Sequence, residues 1–193
     1  MKRVCALLVC VACFAAVTNA QIAIKPSIGF NMTNFSKSPS TGKFEAKPGY
    51  QVGGSVAIGR KVYIEPGLYY VRKSTQYVND QSNADNVKYD ISGIRIPLTI
   101  GASLIGNEKS IFGLRAFGGG SAFILTNIKD LDKEDFKTAN WGAFAGLGVD
   151  IAFLFIEGKY EWSLTNLQKE DLTQIQVGKS RTIFVNAGVR LPL

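Results

Sequence analysis

Apolar and polar residues alternate without a break between residues 155 and 165. One parity is apolar and holds Ile156, Gly158, Tyr160, Trp162 and Leu164. The other parity is polar and holds Glu157, Lys159, Glu161, Ser163 and Thr165. An extended strand with this pattern has one apolar face and one charged face, whereas a helix would mix the two sets. The stretch therefore predicts a β-strand and leaves open which of its faces lies inside.

The same alternation recurs in seven other stretches, so the sequence predicts eight β-strands. These stretches are residues 22–33, 50–58, 62–71, 94–103, 112–124, 141–151 and 182–193. The apolar parity is almost free of charge. The polar parity carries a nearly balanced set of charges: Lys25, Glu65, Arg95, Arg115, Asp150, Glu157, Lys159, Glu161 and Arg190. Two kinds of closed barrel fit this pattern, a soluble lipocalin-like barrel with the apolar face inward and a membrane barrel with the charges inward.

The lengths of the connections separate these two alternatives. Short segments around residues 59–61, 106–109 and 152–154 join strands two to three, four to five and six to seven. Longer polar segments, at residues 36–48, 74–90, 126–140 and 168–180, join the other consecutive pairs. Short turns at one rim and long loops at the other are typical of outer-membrane barrels. With an even number of strands, both chain termini are expected at the short-turn, periplasmic rim.

Strand length and aromatic placement favour the same interpretation. About ten residues rising roughly 3.3 Å each, in strands tilted by about 40°, give an apolar band about 25 Å tall. Aromatic residues on the apolar parity lie towards the long-loop ends, where an interfacial girdle belongs: Tyr50, Tyr70, Trp141 and Trp162. A closed barrel also leaves no unpaired strand edge in hydrocarbon. We therefore expect an all-β, eight-stranded antiparallel transmembrane β-barrel with short periplasmic turns and long extracellular loops.

The first 20 residues predict export from the cytoplasm. Lys2 and Arg3 precede an apolar run from Val4 to Val17, and Thr18-Asn19-Ala20 forms a small-residue cleavage site. This order is typical of a secretory signal peptide, and the run is shorter than the roughly 20 residues of a spanning helix. We expect residues 1–20 to be removed and residues 21–193 to form the barrel.

Removal of the signal limits the chemistry of the mature chain. All three cysteines leave with it, and the sequence has no histidine. The formal charge falls from +7 to +5, because two of the 22 basic residues and none of the 15 acidic residues lie in residues 1–20. Without His or Cys, the usual Ser-His and Cys-His constellations cannot be built. We expect no enzyme activity and no cofactor, and the unclustered positive charge of an exported protein argues against nucleic-acid binding.

Several motifs in the mature chain resemble those of a known family. They are the signal ending Asn-Ala-Gln, Ile94-Arg95-Ile96-Pro97-Leu98, Gly146-Leu147-Gly148-Val149-Asp150, and Glu157-Gly158-Lys159-Tyr160-Glu161 leading to Leu164-Thr165-Asn166. Together they resemble the small outer-membrane β-barrel proteins of Bacteroidetes, the PorT-like group, over essentially the whole mature chain. The resemblance implies an outer-membrane location and a role in protein secretion across that membrane. It implies no catalytic residues.

The inward charges have more than one interpretation. Glu157 and Glu161, with Lys159 between them, lie on one face and can meet Arg95, Arg115 or Arg190 across the lumen. An eight-stranded barrel is just wide enough for side chains to fill, whereas large aqueous channels occur at about 16 strands. We therefore favour a salt-bridged polar plug over a conducting pore. A carboxylate pair also serves glycoside hydrolysis, but a narrow lumen would seal these groups away from a sugar.

Basic residues near the long-loop rim predict contacts with the membrane surface. They are Arg72, Lys73, Lys137, Lys179 and Arg181. We expect these side chains to meet the headgroup phosphates of outer-membrane lipid and lipopolysaccharide.

Acidic residues in the third long loop resemble a calcium-binding loop. They are Asp130, Asp132, Glu134 and Asp135. The turn glycine of such a loop is missing, and Trp141 occupies the position of the closing glutamate. Interleaved lysines indicate a solvated surface loop instead, so we expect no metal site.

These observations predict an integral, non-enzymatic outer-membrane barrel that is a structural or accessory component of the envelope or of protein secretion. Other envelope or secretion proteins are its expected partners. Two alternatives stay open: a narrow pore for ions or small solutes, and a surface adhesin that uses the four long loops.

Overall fold

A computed structural model of the protein describes residues 21–35, 42–79, 87–106, 110–128, 139–165 and 180–193. Eight long strands and one short strand make up these residues. Their bounds are β1 Ile22–Phe35, β2 Gly42–Gly59, β3 Val62–Asn79, β4 Val87–Ile105, β5 Phe112–Ile128, β6 Ala139–Ile151, β7 Leu154–Ser163, β8 Ser180–Val189 and β9 Leu191–Pro192. No helix in the described part of the chain is long and apolar enough to cross a membrane.

The strands close into a barrel. Each strand from β1 to β7 pairs antiparallel with the next, and β8 pairs antiparallel with β1. The short β9 continues β8 past Arg190 and pairs with β1, where Ile24 lies opposite Leu191. The predicted eight-stranded antiparallel barrel is confirmed. Because β1 has partners on both sides, the closed sheet presents no unpaired edge to its surroundings.

The charged parity faces the inside of the barrel. Along β7, buried and exposed side chains alternate strictly from Leu154 to Lys159. Lys25 and Arg95 are 1% and 0% exposed, whereas the apolar Ile28 and Phe30 are 66% and 71% exposed. This is the reverse of a lipocalin-like barrel, so the soluble alternative is wrong. The outer surface is apolar because it is built to contact hydrocarbon.

The short turns lie together at one rim. Arg60 and Lys61 join β2 to β3, and the two-residue turn Ala152-Phe153 joins β6 to β7. Ala152 has a φ of 54°, a left-handed conformation that is uncommon for a residue with a side chain. Gly59, with a φ of 133°, donates its backbone N–H to the carbonyl of Gln21 at 3.0 Å. The short-turn rim therefore also holds the start of the described chain.

Several strands run further towards the other rim than the alternation predicts. Residues 42–48, 74–79, 87–90, 126–128 and 139–140 were expected in loops and lie in strands. The ladders between β2 and β3 and between β3 and β4 continue there, from Gly42 opposite Asn79 to Thr75 opposite Tyr89. Residues 42–48 and 87–90 also alternate, with Phe44, Ala46, Val87 and Tyr89 as their apolar positions, so these extensions carried a strand signal. Residues 74–76 and 126–127 are polar on both parities and give no hydrophobic contrast from which a strand can be recognised. Ser180, the last residue of the fourth predicted loop, begins β8, and the rest of the predicted long loops lies outside the described residues.

Candidate functional site

The nine predicted interior charges all point into the lumen, and seven of them are buried. Seven of the nine join one ion-pair network in the half of the barrel near the short turns. Its centre is Glu157, on β7, which is 2% exposed. Its Oε1 atom lies 2.5 Å from Lys25 Nζ and 3.0 Å from Arg115 Nη1, and its Oε2 atom lies 2.9 Å from Lys159 Nζ. Three cations from three different strands therefore converge on one carboxylate.

Two further carboxylates extend this network across the barrel. Glu65, on β3, accepts hydrogen bonds from Lys25 Nζ at 3.0 and 2.9 Å and from Ser55 Oγ at 2.7 Å. Asp150, on β6, accepts two parallel hydrogen bonds from Arg115, at 2.7 and 2.8 Å. Paired contacts of this kind are among the strongest that an arginine makes. Arg190 lies 3.5 Å from Asp150 and is partly exposed, so it marks the short-turn mouth of the lumen.

A second, separate ion pair lies in the half of the barrel near the long loops. Arg95, on β4, donates from Nε and Nη2 to Glu161 Oε2, on β7, at 2.9 and 2.5 Å. Ser121, on β5, donates to the same oxygen at 2.8 Å. Because β5 and β6 lie between β4 and β7 in the wall of the barrel, this pair crosses the lumen.

Aromatic rings pack against every cation of the two clusters except Arg190. Lys25 Nζ lies 4.5 Å from the centre of the Phe155 ring, and Lys159 Nζ lies 5.2 Å from that of Phe117. Arg95 lies between Phe144 and Phe184, at 5.1 and 4.7 Å. Such contacts stabilise a cation that has lost its water. The lumen is thus filled by layers of paired charges and rings.

A glycine on β1 lets two neighbouring strands join inside the barrel. Gly29 lies between Gln51 on β2 and Asn186 on β8 in the strand register. The amide of Gln51 donates across it to Asn186 Oδ1. A Cβ at position 29 would lie 2.1 Å from Asn186 Oδ1 and 2.6 Å from the carbonyl oxygen of Val185. The missing side chain therefore provides the space for this hydrogen bond.

The four predicted girdle residues all lie on the outer surface. Tyr50, Tyr70, Trp141 and Trp162 are 42–58% exposed. The rings of Tyr50 and Tyr70 are 6.4 Å apart on neighbouring strands. Trp162 also makes an edge contact with Tyr160, with ring centres 4.8 Å apart. This arrangement suits residues at the boundary between hydrocarbon and headgroups.

The basic residues predicted at the long-loop rim divide into three groups. Arg181 is exposed and lies opposite Trp162 in the register, and the half-buried Arg72 lies opposite Tyr50. Lys73 is inside the barrel instead, 9% exposed, with its Nζ atom 4.9 Å from the Phe123 ring. The predicted headgroup contact of Lys73 is wrong, because residue 73 shares the inward parity of Val71. Lys137 and Lys179 lie outside the described residues.

The acidic residues weighed as calcium ligands lie between residues 130 and 135, outside the described part of the chain. Trp141 is described and lies on the outer surface. Within the described residues, no group of three or more His, Cys, Asp or Glu side chains is placed to hold a metal ion.

The interior also contains neutral and aromatic residues that were not among the predicted interior charges. Tyr63 accepts a hydrogen bond from Arg115 Nη1 at 3.1 Å, and Tyr69 lies between Ser27 and Ser55, with 3.4 Å to each hydroxyl. Both tyrosines lie on the polar parity of β3, which is the signal that identifies them. These tyrosines were not predicted as interior residues, because an aromatic ring is expected on the lipid face.

The chain is similar to known outer-membrane proteins in sequence pattern and in fold. A family model described as outer membrane protein beta-barrel domain matches residues 18–169. The outer membrane protein OprG from Pseudomonas aeruginosa is similar in structure, with a TM-score of 0.51 and 12% identity over 90% of this chain and 94% of that chain. The translocator domain of the autotransporter NalP from Neisseria meningitidis matches with a TM-score of 0.29 and 9% identity, over 97% of this chain and 96% of that chain. None of the curated proteins matches the chain significantly. The likeness to OprG concerns the fold and transfers no residue role.

Proposed function

The chain belongs to the family of outer membrane protein beta-barrel domains, and from this premise we propose that it is a closed, non-enzymatic structural or accessory component of the cell envelope. The family and the fold place the protein in the outer membrane. The proposal adds that the lumen is plugged by its own side chains, and that the surfaces available for function are the outer face and the two rims.

The observation that carries the proposal is the ion-pair network across the lumen. The side chains of Lys25, Arg115, Glu157 and Lys159 are each at most 4% exposed, and they tie together strands from opposite walls. In the other half, the buried Arg95–Glu161 pair crosses the lumen again. A barrel of eight strands has just enough interior volume for side chains. We infer that these two successive charged layers close the lumen to a continuous water path.

Solute flux distinguishes the plugged barrel from the pore alternative. Proteoliposomes containing the refolded barrel should swell in isotonic small sugars no faster than protein-free liposomes. Heat-modifiable migration in gel electrophoresis would verify that the barrel is folded in the same sample. Swelling rates that rise with the amount of folded protein would favour the pore and overturn the plug.

Absence of histidine and cysteine from residues 21–193 supports the non-enzymatic part of the proposal. The buried carboxylates support it as well, because Glu157 and Glu161 are 2% and 6% exposed and both are held by arginine or lysine. An activity that depends on Glu157 or Glu161 would contradict this part.

An accessory role in protein secretion is the finer proposal, and the likeness to the PorT-like proteins of Bacteroidetes supports it. Crosslinking in intact cells, followed by detergent extraction of the tagged barrel, tests this role directly. Reproducible recovery of the same envelope or secretion proteins would support it. Recovery of the barrel alone would contradict it, and binding of the cells to host matrix through this protein would favour the adhesin alternative.

A further inference from the structure

The charges inside the barrel do not balance in the half near the long loops. Two buried cations lie there, Lys73 and Arg95, and Glu161 is the only buried carboxylate of this half among the described residues. Glu161 Oε2 already accepts hydrogen bonds from Arg95 and from Ser121. In the described part of the chain, Lys73 has no carboxylate within the 4.0 Å of an ion pair. This half of the lumen thus holds one more buried positive charge than negative charge.

Lys159 is a buried lysine of the same barrel that has an ion pair, so it can be compared directly with Lys73. Both lysines are at most 9% exposed, and both place Nζ about equally far from a phenylalanine ring, 4.9 Å for Lys73 with Phe123 and 5.2 Å for Lys159 with Phe117. Lys159 also has Glu157 Oε2 at 2.9 Å. The two sites therefore differ mainly in the direct ion pair that Lys73 lacks. Ring contacts alone do not neutralise an ammonium group removed from water.

A hydrogen-bond donor without an acceptor lies beside Lys73 in the same half of the lumen. Arg95 Nη1 is fully buried and has no hydrogen-bond partner in the described structure. Lys73 and Arg95 also share one ring, because both lie within 6 Å of the centre of Phe184. An unmatched donor and an unmatched positive charge therefore occur together.

We propose that Lys73 and Arg95 form a binding site for a small monovalent anion of the halide class. The anion accepts hydrogen bonds from Lys73 Nζ and Arg95 Nη1 and neutralises the excess charge. Phe123, Phe144 and Phe184 are at most 3% exposed around the two cations, and such close packing favours a single-atom anion over a larger oxyanion. This site goes beyond the proposed plug, because anion binding and ion conduction are separate properties of the lumen.

Thermal unfolding tests the site with the folded barrel in detergent. Sodium chloride would replace sodium gluconate at constant ionic strength, so that screening stays the same and only the anion changes. We expect the unfolding midpoint to rise by about 3–6 °C at tenfold excess of chloride over the dissociation constant, and to keep rising with the logarithm of the chloride concentration above it. Lys73→Met should lose this rise, and Lys159→Met, the matched buried lysine that has a carboxylate, should keep it.

Bromide binding can be observed directly in the unaltered barrel, so this test does not depend on whether a variant folds. Crystals of the unaltered barrel grown in sodium bromide should show an anomalous peak within hydrogen-bonding distance of Lys73 Nζ or Arg95 Nη1. Absence of that peak at full bromide exchange would overturn the proposal. An equal response of the midpoint to chloride in Lys73→Met and Lys159→Met would overturn it too, as would a rise with phosphate and none with chloride. None of these results depends on whether the barrel conducts.

Discussion

Replacing Glu157 by Gln is the sharpest perturbation of the interior that the structure offers. The substitution keeps the shape of the side chain and removes the one negative charge on which Lys25, Arg115 and Lys159 converge. Lys25 retains Glu65 and Arg115 retains Asp150. Lys159 loses the only carboxylate that lies within ion-pair distance of it in the described structure. The variant therefore leaves one buried ammonium group without a counter-charge.

The expected cost follows from this single uncompensated cation. Breaking a buried ion pair by removing one partner costs about 3–5 kcal/mol, because the remaining charge is neither hydrated nor paired. Glu157 and Lys159 are 2% and 4% exposed, so solvent screening reduces this cost little. We expect Glu157→Gln to lower the free energy of unfolding by about 3–5 kcal/mol.

Equilibrium unfolding in urea, with the barrel inserted in lipid vesicles, measures this change. Both tryptophans, Trp141 and Trp162, lie on the outer surface and report on loss of the lipid environment. The double variant Glu157→Gln with Lys159→Met removes one charge of each sign and should recover a large part of the loss. A cost below about 1 kcal/mol for Glu157→Gln, the range of exposed pairs, would refute the reasoning and indicate a hydrated lumen.

Two further predictions concern the wall of the barrel and its outer rim. Gly29→Ala should lower the free energy of unfolding by about 1–3 kcal/mol through overpacking. Gly158→Ala is the control, because nothing lies within 4 Å of a Cβ added there, and it should change the free energy of unfolding by less than about 0.5 kcal/mol. Equal effects of the two substitutions in urea unfolding would contradict the packing argument. Arg72→Glu and Arg181→Glu should each reduce the lipopolysaccharide that copurifies with the barrel at least about fivefold, as measured by native mass spectrometry. Arg60→Glu, at the opposite rim, is the control for that experiment, and an equal loss in all three variants would argue against a specific headgroup contact.

Strict alternation, together with the turn lengths and the aromatic girdle, was enough to predict the closed barrel and the direction of its charged face. The period of two assigns each residue of a strand to one of two faces, and the turn lengths together with the girdle indicated which face is outside. The same rule predicted that Lys25, Arg95 and Glu157 point inward. The same rule also places Lys73 inside, because residues 71 and 73 share one parity. The predicted strand ended at Val71, next to the girdle residue Tyr70, and so did not include Lys73.

The pairing of the interior charges could not be predicted from periodicity. Which residues meet across the lumen depends on the tilt of the strands and on the stagger between them, and these are properties of the closed barrel. Glu161 illustrates this, because its partner Arg95 lies three strands away and was one of three arginines that the sequence allowed. The strand ends near the long loops were missed for a different reason. Residues 74–76 and 126–127 are polar on both parities, so only the backbone hydrogen bonds distinguish strand from loop there, whereas residues 42–48 and 87–90 alternate and could have been recognised.

Single-channel recording of the refolded barrel in planar bilayers tests the central claim most directly. Insertion would be verified independently by protease protection of the barrel in the same lipid. A lumen closed by the Glu157 network and the Arg95–Glu161 pair predicts insertions without discrete current steps. Reproducible unitary steps from the unaltered barrel would show a continuous water path through the lumen and would contradict the account.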